Sequence, residues 1–367
     1  MKSKIDWLTL SFLILLSLIL VSCTKATTST ATSPPTSPGI TQSISTSSTT
    51  TATAANWWDK FGEPKYSGTI TFPESDLGGV TLDPINPMGT NILEHFEPLF
   101  GYNWTLDPKI WTYTSGWVPP EYYSGILATS WEQKDPTTIT VHLRQGVYWQ
   151  DKPPANGREL NAADVITNVD RLLGLNGFTP NPFMAASLST VTKAVATDKY
   201  TVDFQLKQPS VVAIIQIVAS GWGIAAPEWI ALGGLASSGG SPAGGGPPAG
   251  GGPPVGGGPL GDWKNAVGTS PWTLTDFLQG SVVTYSKNTK YWGYDERHPQ
   301  NKLPYADTLK IVAIPDIATR LAALQTGNID MIPDILTPWE QAQSIAKSNP
   351  EIQQALVPGA GVSIDLR

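Results

Sequence analysis

The chain has 367 residues, a formal net charge of −7 and only 14% charged residues. At roughly 150 residues per domain, this length predicts two folded domains once unstructured segments are set aside. The mildly acidic balance argues against a basic face of the kind that nucleic-acid binding requires, so we expect no nucleic-acid partner. The single cysteine, Cys23, excludes a disulfide framework and a cysteine-based zinc site.

Residues 1–23 have the pattern of an export signal. Lys2 and Lys4 give a basic start, residues 7–21 are nearly all apolar, and the segment ends in Leu-Val-Ser-Cys. Such an apolar run is short for a membrane span and typical of a signal peptide. The ending resembles the lipobox of bacterial lipoproteins, in which the cysteine is lipidated. We therefore predict a lipoprotein signal peptide with Cys23 as the lipid anchor; an ordinary signal peptide with an incidental cysteine is the alternative.

Residues 24–60 are rich in serine, threonine and proline. A segment of this composition cannot bury a core, so we predict a disordered tether that holds the folded part away from the membrane. A mucin-like stalk would have the same structure.

Residues 131–173 carry the most specific pattern in the chain. Apolar and polar residues alternate over residues 138–143, which predicts a half-buried strand. A turn at Gln145-Gly146 and a second short strand at residues 147–149 follow. Asn161 with Asp164 three residues later is typical of a capping box at the start of a helix.

This stretch resembles the family 5 solute-binding proteins of ABC transporters, the dipeptide- and oligopeptide-binding group. Its Leu-Arg-Gln-Gly-Val and Ala-Asp-Val strings match that family's recurring sequence, although the loop at residues 151–158 is longer here. Ser270 replaces a glycine in a further match, which puts a left-handed backbone at that position in doubt. Other matches lie at residues 126–131, 195–206, 267–272, 288–292, 303–307 and 316–331. The resemblance covers about residues 65–367 and only the front part of the family's fold.

The resemblance implies a mixed α/β fold, a periplasmic-binding-protein-like two-lobed clamp of type II (cluster C) with an incomplete C-terminal lobe. We place the front part of the solute-binding domain at residues 61–335 and the truncated start of the second main lobe at residues 336–367. Residues 236–261 repeat glycine triplets with proline pairs and form a low-complexity insertion into a surface loop.

Further elements are predicted along the chain. Strands are expected at residues 69–72, 200–206, 282–285 and 309–314. The resemblance implies a helix at residues 92–100. Helices are also expected at residues 209–218, after Asp316 as far as Gly327, and from the Thr-Pro-Trp-Glu string at residues 337–340.

The resemblance also points to ligand contacts. In the family, the residues after a Leu-Asp-Pro string reach the ligand backbone, and here they are Met88, Gly89 and Thr90; a plain connecting loop is the alternative. Phe183, in a loop punctuated by prolines, and Trp222 are further candidates. Trp222 is a possible stacking residue, with core packing as the alternative. The residues that fix peptide termini in relatives lie beyond Arg367.

Enzyme chemistry finds little support in the sequence. The three histidines, His95, His142 and His298, lack metal-ligand spacing, and the chain has no G-x-S-x-G string. Glu94 and Glu97 are expected on a solvated helix face. We therefore expect no catalytic residues, no metal and no cofactor.

The resemblance implies a monomeric binding protein anchored outside the cell, in the periplasmic space or at the cell surface. It would capture peptides or another small solute and deliver them to ABC permease and ATPase subunits. One alternative is an oligosaccharide-binding member of the family, for which the 14 tryptophans would offer stacking faces. A surface protein without a role in transport is the other alternative.

Overall fold

The chain folds as a mixture of short strands and helices, seen in a computed structural model. The structure describes residues 56–78, 80–85, 90–91, 94–111, 118–180, 182–219, 221–232, 262–337, 339–357 and 361–364. They belong to one compact unit, residues 55–367. The predicted signal segment, most of the predicted tether and the whole Gly/Pro-rich insertion lie outside the described ranges.

The strands are β1 Thr69–Glu74, β2 Val80–Thr81, β3 Thr90–Asn91, β4 Phe100–Tyr102, β5 Tyr123–Gly125, β6 Ala128–Asp135, β7 Thr138–Leu143, β8 Val191–Asp198, β9 Thr201–Leu206, β10 Trp272–Leu278, β11 Val282–Lys287, β12 Thr308–Ala313, β13 Ile332–Thr337, β14 Gln354–Val357 and β15 Gly361–Ile364. The α-helices are α1 Ala162–Leu173, α2 Pro182–Ser187, α3 Val212–Val218, α4 Pro227–Leu232, α5 Ile317–Gln325 and α6 Trp339–Ser348. Single 3-10 turns lie at Asp59–Phe61, Pro120–Tyr122 and Trp263–Asn265. The first of these turns falls within the range predicted as tether.

Strands β6, β7, β9 and β8 form an antiparallel sheet in that order. The predicted alternation explains its buried face, because Ile139 and Val141 of β7 and Val202 and Phe204 of β9 are all fully buried. Helix α1 covers this sheet, and its capping box is present as predicted. The Asn161 side chain accepts from the Ala163 backbone at 2.9 Å.

Arg158 ties the long loop at residues 151–158 to two helices. Its guanidinium donates to both carboxylate oxygens of Asp164 in α1, at 2.9 and 2.6 Å. It also donates to Glu228 in α4 at 2.7 Å. Bidentate arginine–carboxylate pairs of this kind fix geometry as well as adding energy. The longer loop therefore forms part of the packed fold.

A second four-stranded sheet has the order β1-β12-β11-β10. Strands β1 and β12 are parallel and the other pairs are antiparallel. The parallel pair begins with Thr69 opposite Thr308 and ends with Glu74 opposite Ala313. The loops that follow these two carboxyl ends therefore start at the same edge of the sheet.

One hydrophobic core joins the two four-stranded sheets. It contains Tyr285 and Ile311 from the second sheet, Phe204 from the first, and the indoles of Trp149 and Trp229. A separate small cluster unites α5, β13 and α6. In the described part of the chain, no helix combines the length and apolar character needed to cross a membrane.

Two predicted elements are wrong. Residues 94–99, the described part of the helix expected at residues 92–100 before Phe100, are not helical, and strand β4 begins at Phe100. Pro98 explains this, because it lacks an N–H donor and disfavours helical backbone at Glu97. The strand expected at residues 147–149 is reduced to one bridge between Tyr148 and Glu159. The other predicted strands and helices form, with ends shifted by a few residues.

The Asn161 cap gives a stability prediction. Asn161→Ala should lower the free energy of unfolding by about 1 kcal/mol, because an orphan N–H of α1 loses its acceptor. Asn161→Asp keeps an acceptor at the same place and serves as the matched control. Urea denaturation measures both variants. Equal stability of the alanine and aspartate variants would contradict the capping role.

Candidate functional site

The loop after β1 is the candidate ligand loop, defined as residues 82–91. In open α/β sheets, ligands bind beyond the carboxyl ends of the parallel strands. Strand β1 ends at Glu74 beside the end of β12, and the chain then passes through β2 into this loop. The loop ends in β3, which pairs in parallel with β2. The loop thus follows the carboxyl end of a parallel strand in chain order, and the predicted contact role of Met88, Gly89 and Thr90 stays a prediction.

A buried ion pair holds the start of the ligand loop. The Arg171 guanidinium of α1 donates to both carboxylate oxygens of Asp83, one of them at 2.8 Å. The two side chains are only 13% and 20% exposed. The Asp83 carboxylate also accepts from the Ile85 backbone at 3.2 Å. Because Asp83 lies five residues before Met88, this pair fixes the approach to the predicted contacts.

The segment at residues 222–226 packs beside the ligand loop. A side chain at Gly223 would place its Cβ 2.7 Å from Cβ of Phe96 and 3.3 Å from Cβ of Pro84, so only glycine fits there. Asn168 of α1 secures the same segment by donating to the Ala225 carbonyl at 2.8 Å and accepting from its N–H at 3.1 Å. Helix α1 therefore positions both the loop and the segment beside it.

The predicted contact residues have different placements. Met88 and Gly89 lie outside the described residues, and Thr90 pairs with Val80 between β3 and β2. Phe183 lies in α2, in place of the predicted loop. Trp222 is 3% exposed and belongs to the main core, so its indole packs as the alternative interpretation expected. The structure brings the Trp222 segment to the ligand loop.

Sequence analysis missed a buried polar segment at residues 94–97. Glu97 is only 5% exposed, whereas the sequence suggested a solvated helix face. Its carboxylate accepts from the Tyr291 hydroxyl at 2.6 Å and from the Trp292 indole N–H at 3.4 Å. Burial raises the pKa of Glu97, and these hydrogen bonds oppose the rise. Pro98 was the available signal, because it removes the helix on which the solvated interpretation depended.

His95 and Glu94 occupy the same segment. His95 is fully buried, neither ring nitrogen has a hydrogen-bond partner among the described residues, and burial lowers its pKa to about 3. Glu94 is partly buried, and burial raises its pKa to about 7 against the hydrogen bond from the Tyr285 hydroxyl. The His95 imidazole is therefore neutral at physiological pH, whereas the Glu94 carboxyl group gains and loses its proton near pH 7.

Residues 268–270 pack directly against this segment. A Cβ at Gly268 would lie 1.4 Å from the carbonyl oxygen of His95, so the backbones approach as closely as glycine allows. The Ser270 hydroxyl donates to the Glu94 carbonyl at 2.5 Å. The serine that replaces the family's glycine thus has a structural role, and Ser270 is not among the described residues with positive φ.

The ligand loop and the segments packed beside it form a surface suited to binding. Within the described ranges, no three side chains of the His, Cys, Asp and Glu types come together as a possible metal site. His142 is 42% exposed on its strand, 3.7 Å from Glu132. The geometry supplies a loop whose start is anchored by one largely buried ion pair, beside the polar, closely packed segment at residues 94–97.

Comparison with known proteins gives consistent matches. The family model described as "Bacterial extracellular solute-binding proteins, family 5 Middle" matches residues 123–364. The dipeptide-binding protein of Escherichia coli (strain K12) is 27% identical over 221 residues, covering 56% of this chain and 35% of that protein. The glutathione-binding protein GsiB of Salmonella typhi is 27% identical over 259 residues, covering 66% and 42% respectively.

A solved structure gives the same fold. The ABC transporter-associated periplasmic binding protein DppA from Helicobacter pylori, in complex with peptide STSA, matches with a TM-score of 0.55 at 19% identity. The match covers 79% of this chain and 51% of that one. It confirms the predicted periplasmic-binding-protein-like fold of mixed α/β character. This chain spans between 35% and 42% of the length of the two curated relatives.

The raised pKa of Glu94 gives a prediction with a definite sign. Between about pH 4.5 and pH 7 the folded state keeps a proton that the unfolded chain releases, so the Glu94 contribution lowers stability as pH rises. Glu94→Gln removes this contribution. The free energy of unfolding of the variant minus that of the wild type should therefore be about 2 kcal/mol larger at pH 8 than at pH 4.5. This is less than the full linkage value because the Glu94 side chain is partly exposed.

Urea denaturation of both proteins at the two pH values measures this difference. Glu340→Gln, on an exposed position of α6, is the matched control and should track the wild type at both pH values. A stability difference between Glu94→Gln and wild type that does not change with pH would contradict the buried-carboxyl account.

Proposed function

The chain belongs to the bacterial extracellular solute-binding proteins of family 5, and on that premise we propose that it acts as the substrate-binding component of an ABC importer that captures peptides outside the cell. The observation that carries the proposal is the ligand loop, which follows the carboxyl end of a parallel strand and is held there by Arg171. The matched relatives named above are a dipeptide-binding and a glutathione-binding protein, which supports the peptide class.

The proposed binding mode uses the backbone of the ligand loop. An extended peptide presents its own N–H and C=O groups, which pair with loop backbone as an added strand would. Met88, Gly89 and Thr90 are the proposed contacts. The Asp83–Arg171 pair fixes the loop before the peptide arrives, so less ordering entropy is lost on binding. Binding would then favour a closed conformation that permease and ATPase subunits recognise.

The proposed location follows from the first 23 residues. Lipidation of Cys23 would attach the chain to the outer face of the membrane, and residues 24–60 would let the folded part reach its permease. The proposed binding role requires no bond-making or bond-breaking, so it assigns no enzymatic activity to the chain. We also propose that the protein acts as a monomer.

Peptide binding is tested by a stability shift. The full chain is incubated with a library of dipeptides to pentapeptides and, in parallel, with oligosaccharides. A peptide at 100 times its dissociation constant should stabilise the protein by about 2.7 kcal/mol. A shift with oligosaccharides alone would reject the peptide class, and no shift with either library would reject the binding proposal.

Substitution of the loop anchor locates the peptide site. Arg171→Ala should weaken peptide binding at least 10-fold, because the approach to Met88 loses its fixed position. Lys134→Ala is the matched control, since it breaks the ion pair with Asp203 in the first sheet. It should leave peptide affinity unchanged. Equal losses in the two variants, measured by calorimetry on protein with wild-type circular dichroism, would reject the loop as the site.

Lipidation gives a separate prediction. The wild-type chain expressed in a bacterial host should sediment with membranes, because two or more acyl chains bury many methylene groups. Cys23→Ser should shift it to the soluble fraction, whereas Ser22→Ala should leave it with the membranes. Mass spectrometry of the mature N-terminus identifies the acyl groups, and an unmodified Cys23 in the wild type would contradict the anchor.

A further inference from the structure

A cavity lies near the start of the parallel strand pair β1 and β12. It has a volume of about 280 Å³ and is lined by strands β4 and β5 and by the loop at residues 291–305. That loop precedes β12, and the Ser67 N–H just before β1 donates to the Tyr305 carbonyl at 3.0 Å. We call this cavity the aromatic cleft.

Exposed aromatic side chains form the wall of the aromatic cleft. Tyr102 is 41% exposed, Trp104 60% and Tyr294 55%. The rings of Tyr102 and Trp104 meet edge to face with centroids 5.8 Å apart. Large apolar surfaces left open to water, beside one another in a concave site, are a common mark of a binding site.

The backbone around these side chains is fixed. The Asn103 side chain accepts from the backbone N–H and the hydroxyl of Thr105, at 3.0 and 2.6 Å, which closes a turn around Trp104. On the other side, a bridge pairs Tyr294 with Lys302, and the Asp295 N–H donates to the Asn301 carbonyl at 2.9 Å. Both aromatic residues are therefore held in place before any ligand binds.

The lining of the aromatic cleft carries excess negative charge. Its carboxyl groups include Asp295 and Glu296, and Arg297 is its one cation among the described lining residues; Glu97 is left out of this balance because burial raises its pKa. Asp295 is 5% exposed; burial raises its pKa, but hydrogen bonds from the Arg297 N–H and the Tyr305 hydroxyl, each at 2.9 Å, leave it below its usual value. Asp295 is thus ionised, and Glu296 beside it is exposed.

A nearby guanidinium, that of Arg144, offsets part of this negative charge. Arg144 lies over the Trp292 ring with 4.4 Å to its centroid. Its N–H groups donate to the carbonyls of Ile126 and Gly125 at 2.8 and 3.0 Å. The pair shows that a cation on an aromatic face already forms part of this region.

We propose that the aromatic cleft binds a small organic cation, with an alkylated or primary ammonium group against the faces of Tyr102, Trp104 and Tyr294 and beside Glu296. Aromatic faces attract such cations through the ring quadrupole, and a nearby carboxylate adds charge attraction. An anion would be repelled, and a neutral sugar ring would stack and donate hydrogen bonds to the carboxylates without gaining charge–charge attraction. This site goes beyond the proposed peptide binding and does not depend on it.

The test compares choline with 3,3-dimethylbutan-1-ol, its neutral isostere of nearly the same shape. Calorimetric titration of the full chain should show choline binding at least 10-fold more tightly, and the preference should shrink as salt rises. Nα-acetyl-lysine amide is titrated in parallel, because a lysine side chain of a peptide carries the same chemistry. Failure of both cations to bind, or equal affinity for choline and its isostere, overturns the proposal.

Two pairs of variants locate the site. Trp104→Ala should weaken choline binding by about 10-fold, at the upper part of the range for cation–π contacts, whereas Tyr148→Ala, which removes an exposed ring outside the cleft, should not. Glu296→Gln should weaken it several-fold, and Glu340→Gln should not. Equal losses within either pair would overturn the assignment.

The same titrations separate this site from peptide binding. Arg171→Ala should leave choline affinity unchanged, and Trp104→Ala should leave peptide affinity at the ligand loop unchanged. A failed peptide screen with intact choline binding would reject the proposed function and keep the aromatic cleft. Loss of choline binding in Arg171→Ala, in protein with wild-type circular dichroism, would reject the cleft as a separate site.

Discussion

Residues 94–99 run in a non-helical path through the core and hold together parts of the chain that are far apart in sequence. Their carbonyl groups accept hydrogen bonds from three other parts of the chain: the Ser270 hydroxyl at 2.5 Å, the Ile224 N–H at 3.0 Å, and the N–H groups of Ile126 and Ala128 at 3.0 Å each. A helix would have used these carbonyls internally. Because Pro98 prevents the helix, the segment joins distant parts of the chain.

The side chains of this segment lie between the start of the ligand loop and the aromatic cleft. Phe96 packs against Gly223 beside the ligand loop, while Glu97 reaches Tyr291 and Trp292 at the edge of the aromatic cleft. A buried carboxyl group that lost these donors would be left with an uncompensated desolvation cost. The polar contacts of Glu97 therefore favour this arrangement of the segment over arrangements in which its carboxyl group would be buried without donors. A single rigid element can in this way support two surfaces that have different chemistry.

The elements predicted correctly from the sequence are those determined by residues close together along the chain. Strand β7 follows from alternation within six residues, and the Asn161 cap follows from side chains and backbone within one turn of helix. The resemblance extended these elements to a fold, because its strings mark positions in a known packing order. Local pattern and family string agreed at residues 138–143 and 161–165, and the structure there has the predicted strand and helix start.

The rest depended on partners far apart in the sequence. The environment of Glu97 is set by Tyr291, which is 194 positions away, so no local pattern distinguishes this buried acid from a solvated one. The aromatic cleft likewise combines Trp104 with Tyr294 and Glu296. Trp222 shows the reverse case, since a tryptophan beside glycines suggests an open stacking face until the packing around Gly223 is known. Whether such side chains are buried or exposed depends on the topology of the fold.

Burial determines which ion pairs can position a site. Lys134–Asp203 and Arg171–Asp83 both join oppositely charged side chains, but Lys134 is 53% exposed and Arg171 only 13%. An exposed pair gains little, because water screens it and two side chains lose freedom to form it. A largely buried bidentate pair leaves a costly charge behind when either partner is removed, so each partner holds the other in one place. That difference is why α1, through Arg171, can fix the start of the ligand loop at Asp83.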